Sequence, residues 1–155
     1  MSFSDLVSEG RFLKLVELRP PKGIVVDELL EVARRLSGRV DAVVVPDSPG
    51  AVMSLCPTAF GRRIRGLGHE VVVHLSCRDR NQIALQSFLL GAAMEDLPAV
   101  LVTRGTDPTF GDHPRAKAVY DLEPHELVGV VDRLSEGLDL SGATVEGRPA
   151  FVAGV

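Results

Sequence analysis

The sequence predicts a parallel α/β fold. Five apolar, β-branched runs recur along the 155 residues, and a segment with helical spacing separates most of them. Because these runs are nearly continuous rather than alternating, they are typical of parallel strands covered on both faces. Right-handed crossovers between successive strands would then complete the sheet. The predicted strands are residues 12–18, 40–45, 70–75, 99–103 and 150–155.

Four helices are predicted between these strands. The first carries Val26, Leu29, Leu30, Ala33 and Leu36 on one face and stops at Gly38. The next spans 51–66, reshaped near Pro57, and a third spans 79–94. A fourth begins at Pro124 and runs through Leu138, and residues 139–149 form a polar connection to the last strand.

Two architectures fit this order of elements. One is an open, doubly wound sheet, and the other is the first half of a (βα)8 barrel of the TIM type. A complete barrel typically needs about 250 residues, whereas this chain has 155 and stops in its fifth strand. We therefore expect a single domain over residues 1–155.

Composition excludes several classes of protein. The 17 basic and 21 acidic residues give a net charge of −4, which favours no nucleic-acid partner. The first residues lack the apolar core of a secretion signal, and the apolar runs are too short to span a bilayer, so no membrane association is expected. Cys56 and Cys77 are predicted to be free thiols. These features predict a soluble cytoplasmic protein.

Ionisable residues follow each of the first four predicted strands. In parallel α/β folds, ligands bind at the carboxyl ends of the strands, so these residues are expected at one mouth. The four segments are Glu17 to Gly23, Pro46 to Pro49, His74 to Arg80, and Thr103 to Pro114.

Glu17 and His74 are the most suggestive of these residues, because each interrupts an apolar strand. A partly desolvated carboxyl group at position 17 could act as a general acid, or it could simply pair with Arg19 or Lys14. His74 could hydrogen-bond a ligand, or it could be a satisfied core residue.

Metal and nucleotide-phosphate motifs are not found. No paired His or Cys motif supports zinc, and His74 and Cys77 would point to opposite faces of a strand. The sequence contains neither a GxxxxGK[ST] loop nor a GxGxxG turn after a strand. We therefore predict no metal site.

Four stretches resemble a known family. Glu17-Leu-Arg-Pro-Pro-Lys-Gly is similar to the E-x-x-P-P-[RK]-G opening of methylenetetrahydrofolate reductases. The segment from Val40 to Pro49 resembles the second strand and loop of the branch fused to homocysteine methyltransferases. His74-Leu-Ser-Cys-Arg-Asp-Arg-Asn with the Leu-Gln-Ser and Leu-Gly-Ala that follow, and Gly111-Asp-His-Pro with Val119-Tyr-Asp, resemble later motifs of that branch.

The resemblance implies a flavin-dependent (βα)8 barrel that reduces 5,10-methylenetetrahydrofolate to 5-methyltetrahydrofolate. Glu17 would then be the acid that protonates the folate and opens its ring to an electrophilic iminium. Residues implied to contact FAD are His74, Arg104, Thr106, Asp107 and Tyr120, and Glu17, Thr106 and Asp107 would also contact the folate. The electron donor, NAD(P)H or a reduced protein, is left open.

The sequence departs from that family in two ways. Thr106 stands where the family commonly has an Asp, with Asp107 one position later. The second half of the barrel is also not present, so we expect exposed sheet edges and a homo-oligomer or heteromer that completes the barrel. A non-catalytic folate- or flavin-binding accessory subunit is the alternative, and a pterin-handling transferase without flavin is a third possibility.

Overall fold

The computed structural model describes residues 3–155, which form a five-stranded, all-parallel sheet alternating with helices. The predicted α/β class is therefore confirmed. The strands are β1 (Leu15–Glu17), β2 (Ala42–Val45), β3 (Val71–Ser76), β4 (Ala99–Thr103) and β5 (Val152–Gly154). The helices are α1 (Phe3–Ser8), α2 (Asp27–Leu36), α3 (Pro57–Arg65), α4 (Gln82–Met94) and α5 (Pro124–Glu136).

The strands lie side by side in chain order, β1-β2-β3-β4-β5. A doubly wound sheet needs a reversal of strand order, and none occurs here. Crossovers of one hand between strands in chain order place the crossover helices on the same face of the sheet. In agreement, α2 contacts α3, and α4 contacts α5.

Side-chain alternation divides the sheet into two faces. Val43, Val73 and Val100 point to the helices and pack in the main core. The opposite face carries Ala42, Val72 and Ala99, which form a second small cluster with Phe3 of α1. We call this second side the α1 face, and its strand ends carry Glu17 and His74, in register with Val44 and Leu101.

Helix ends follow ordinary capping chemistry. In α2, Asp27 and Glu28 occupy the first turn and Arg34 and Arg35 the last, which complements the helix dipole. In α5, Glu123 and Glu126 form a reciprocal capping box around Pro124, and Gly137 ends the helix with a φ of +87°.

The predicted helix 51–66 is wrong in its first half. Residues 49–51 form a single 3-10 turn in which Gly50 and Ala51 have positive φ, and α3 begins only at Pro57. Left-handed residues cannot continue an α-helix, and proline is favoured in a first turn because it has no N–H to satisfy. The sequence also gave no signal for α1, and it placed the start of α4 at residue 79 rather than at Gln82.

No helix within residues 3–155 combines the length and the apolar character needed to cross a membrane.

Candidate functional site

Glu17 and His74 lie at the same cleft. It has a volume of about 320 Å³ and opens at the carboxyl ends of β1 to β4. Asp47, Thr103 and Thr106 line it together with the first two residues. The parallel register explains this convergence, because all strand ends of one polarity meet along one edge of the sheet.

Glu17 is held by its nearest basic neighbour. Arg19 Nε donates a hydrogen bond of 2.8 Å to Glu17 Oε1. The Glu17 side chain remains 41% exposed, so the carboxylate is more solvated than the sequence suggested. The ion pair with Arg19 was one of the two predicted alternatives, and it is formed here.

His74 has a buried nitrogen without a partner. Its Nε2 atom is shielded from solvent and neither donates nor accepts a hydrogen bond. Burial lowers the pKa of His74, although the negative charges of Glu17 and Asp47 oppose this effect. A neutral imidazole with an unsatisfied nitrogen at a cleft can form a hydrogen bond with a ligand, which would remove the cost of leaving that atom unpaired.

Asp47 is a buried carboxylate whose role the sequence did not reveal. It accepts a hydrogen bond of 3.0 Å from the backbone N–H of Ser76 and another from Arg80 Nη1. The Arg80 guanidinium in turn lies over the ring of Phe88, 4.9 Å from its centroid. Asp47 thus joins the loop after β2 to the end of β3, next to His74.

Arg78 links the end of β3 to the loops after β2 and β4. Its buried guanidinium forms an ion pair with Asp79 and donates to the backbone oxygens of Ser48 and Thr106, at 3.4 and 3.2 Å. Both Asp47 and Arg78 belong to the polar strand ends that the sequence identified, but their burial depends on loops far apart in the chain.

Three of the residues predicted to bind the cofactor lie outside the lining of the cleft. Arg104 stacks over Tyr120, 4.1 Å from its ring centroid, and pairs with Glu123. The Tyr120 hydroxyl donates to the Gly105 backbone oxygen at 3.4 Å. Asp107 accepts hydrogen bonds from the N–H and the hydroxyl of Thr109, which lower its pKa.

Asp107 therefore does not replace the missing carboxylate beside Thr106. The sequence suggested that Asp107 could supply the missing carboxylate, yet its side chain caps the turn at Pro108–Phe110. Among the predicted site residues, the structure brings together Glu17, His74 and Thr106.

Asp112 connects three loops beside the cleft. Its carboxylate pairs with Lys22 from the β1 loop, accepts the Met53 N–H from the β2 loop, and lies 2.7 Å from His113 Nδ1. These contacts hold the pKa of Asp112 well below its usual range. The Asp112 carboxylate thus holds the loops after β1, β2 and β4 together beside the cleft.

The two cysteines are free and lie in different environments. Cys77 packs in the helix-side core, where burial raises its pKa, and Cys56 is exposed before α3. His74 and Cys77 do lie on opposite sides of the sheet. Within residues 3–155, no three His, Cys, Asp or Glu side chains are grouped so as to hold a metal ion.

No protein-family model and no curated protein sequence matches this chain. The relationship to methylenetetrahydrofolate reductases therefore rests on the motifs quoted above and stays a prediction.

Proposed function

We propose that this chain provides the first half of a (βα)8 barrel that carries out flavin-dependent reduction of 5,10-methylenetetrahydrofolate to 5-methyltetrahydrofolate, or is a part of such an enzyme. The observation that carries the proposal is the shared cleft of Glu17 and His74. The motif resemblance supplies the chemistry, and the unreversed strand order supports the barrel.

One feature of the cleft supports the proposed flavin. His74 Nε2 is a buried polar atom without a partner, as expected where a ligand supplies the missing hydrogen bond. His74 and Thr106 would hold the flavin from within the cleft, and Arg104 over Tyr120 would contact it from the rim. When bound, the reduced flavin supplies the hydride.

Glu17 would act as the general acid. A hydride acceptor must be electrophilic, and a proton donated by the Glu17 carboxyl to the folate would open its ring to an iminium. Arg19 is well exposed on a flexible stem. A folate that covers the cleft would displace this arginine, exclude water and leave the carboxyl facing the substrate.

The barrel needs further strands beyond this sheet. β1 and β5 are its two edges, and the α1 face carries Val44, Leu101 and Val152 only partly buried. Unpaired strand edges and open apolar surface both favour addition of further strands. We expect additional βα units to pair along β1 and β5.

The accessory-subunit alternative is favoured by one specific observation. Thr106 replaces an acid that tunes the flavin and steadies the substrate in the family, and Asp107 is occupied with its own turn. A chain that binds folate or flavin without reducing folate would tolerate that loss.

Glu17→Gln is the direct test. The purified protein, in the assembly that completes the barrel, is expected to show flavin absorbance and to reduce methylenetetrahydrofolate with a reduced flavin. Glu17→Gln should lower the rate by about 10²–10⁴-fold, because an acid is lost, while flavin absorbance is retained. Glu31→Gln is the matched control, since Glu31 also pairs with an arginine but lies on the outer surface of α2.

Two results would contradict the proposal. Unchanged turnover in Glu17→Gln would remove this residue from the mechanism. Bound flavin or folate without any turnover in the unmutated protein, once the barrel is completed, would instead support the accessory subunit.

A further inference from the structure

Asp47 is the more deeply buried of the two acids that line the cleft. Its side chain is 4% exposed, against 41% for that of Glu17. Burying a carboxylate costs free energy unless its oxygens are paired with donors. The partners of each Asp47 oxygen therefore indicate what this residue does and what it still lacks.

The two carboxylate oxygens of Asp47 are not equally used. Oδ2 accepts a hydrogen bond of 3.0 Å from the Ser76 N–H and a second from Arg80 Nη1. Oδ1 has only the Arg80 Nη2 atom, at 3.4 Å, whereas a charge-assisted bond of this type is ordinarily about 2.7–2.9 Å long. Since each carboxylate oxygen has two acceptor sites, Oδ2 is fully used and Oδ1 can accept a further N–H.

The rest of the cleft also offers acceptors rather than free cations. Arg78 lines it, but its Nε and Nη2 atoms donate to the Asp79 carboxylate and its Nη1 atom donates to the Thr106 backbone oxygen. A ligand in the cleft therefore meets the carboxylates of Glu17 and Asp47 without a guanidinium that is free to receive an anion. This arrangement favours a ligand edge that carries N–H groups.

The strand order places Asp47 beside the proposed acid. Asp47 follows β2, three positions beyond Val44, which is the register partner of Glu17 on β1. His74 lies on β3 and Thr106 follows β4, so the two residues proposed to hold the flavin within the cleft belong to the other half of the sheet. A folate that lies over Glu17 is therefore adjacent to Asp47.

We propose that Asp47 Oδ1 accepts a hydrogen bond from the exocyclic amino group of the folate pterin ring, and that Asp47 determines the specificity of the site for this ring. The identity of the ligand rests on the proposed function. An amino substituent supplies the N–H that Oδ1 lacks, whereas a carbonyl in the same place would set two acceptors against each other. Asp47 thereby selects a 2-amino-4-oxo ring over a 2,4-dioxo ring and fixes its orientation relative to Glu17.

Asp47→Asn separates this role from a purely structural one. The Ser76 N–H and Arg80 Nη1 both donate to the position of Oδ2, so the amide oxygen of the asparagine must take that position. The amide NH2 group then replaces Oδ1 and faces the ligand. The contacts that join the loops are kept, while an acceptor for the amino group becomes a donor that suits a carbonyl.

The test compares the binding of two ligands by calorimetry, with the protein in the assembly that completes the barrel. The ligands are tetrahydrofolate and its analogue with a 2-oxo group in place of the 2-amino group. The unmutated protein is expected to bind tetrahydrofolate about 10–100-fold more tightly, because the analogue leaves the buried Oδ1 unpaired. Asp47→Asn should abolish or reverse this preference and retain the flavin absorbance.

Asp112→Asn is the matched control. The Asp112 carboxylate also pairs with a basic side chain and accepts a backbone N–H from another loop, but it does not line the cleft. This variant should keep the preference for the amino compound. An equal loss of affinity for both ligands in Asp47→Asn would make Asp47 a structural residue and overturn the inference.

The unmutated protein provides a test that needs no variant. Binding of neither ligand, or of both equally, would overturn the inference. Failure of the proposed reductase gives a different result, because binding is measured without turnover. A preference that Asp47→Asn removes, in a protein without turnover, would support the role of Asp47 and contradict the reductase; turnover that depends on Glu17, without the preference, would do the reverse.

Discussion

Gly105 shows how a single residue shapes the cleft. It adopts a φ of +86°, and a Cβ at this position would overlap Ser76 Oγ and lie 2.9 Å from Arg78 Cβ. Only glycine allows the loop after β4 to approach the end of β3 this closely. The approach brings Thr106 to the cleft and lets Arg78 donate to its backbone oxygen.

Gly105→Ala should therefore lower the free energy of unfolding more than an alanine substitution at a left-handed glycine that has open space around it. We expect Gly38→Ala, which has a φ of +70° and open space around the added methyl, to cost about 1–3 kcal/mol in free energy of unfolding. Gly105→Ala should exceed that loss, because a clash is added to the strain. Urea unfolding measures both variants, and equal losses would contradict the close approach.

Among the elements, α4 shows how a helix start is selected. Asn81 Oδ1 accepts the Ala84 N–H at 3.0 Å, and Asp121 accepts the Gln82 N–H at 2.9 Å. Asp79, where the sequence suggested the start, instead pairs with Arg78. Two of the four N–H groups that lack a partner within the first turn of α4 are thus satisfied. The helix therefore begins at Gln82, and Asp79 stays in the loop beside the cleft.

Asn81→Ala should lower the free energy of unfolding by about 1 kcal/mol, because the cap is lost. Asn81→Asp should retain nearly all of the stability, since a carboxylate also accepts the N–H and suits the positive end of the helix. Thermal unfolding monitored by circular dichroism can compare the two. Equal losses in both variants would show that the cap contributes nothing.

At the scale of the whole molecule, Asp112 holds three loops of the mouth together. Lys22, Met53 and His113 all contact its carboxylate, although Lys22 lies 90 residues away in the chain. Gly111 allows the neighbouring approach, because a Cβ there would overlap the backbone of Ala51. The pKa of Asp112 is lowered mainly by Lys22, then by His113 and the Met53 N–H.

The stability that Asp112 contributes should depend on pH in a defined direction. Because its folded pKa lies below the ordinary value of 3.8, the contribution is complete above a pH of about 4 and is lost as the pH falls further. Asp112→Asn should lower the free energy of unfolding at neutral pH and flatten its decline in acid. Asp132→Asn, on the exposed side of α5, is the control and should leave the decline of the free energy of unfolding in acid unchanged. Identical pH profiles for Asp112→Asn and the unmutated protein would disprove the stabilising role of Asp112.

The sequence by itself determined the α/β class, the five strands, most of the helices and the convergence of Glu17 and His74. These follow from apolar periodicity and from the rule that parallel strands end at one edge of a sheet. Only the tertiary structure decided the strand order, the late start of α3 and the use of Asp107 as a turn cap. It also decided the burial of Asp47 and Arg78. These features depend on contacts between loops and helices distant in the chain, and local residue patterns do not encode such contacts.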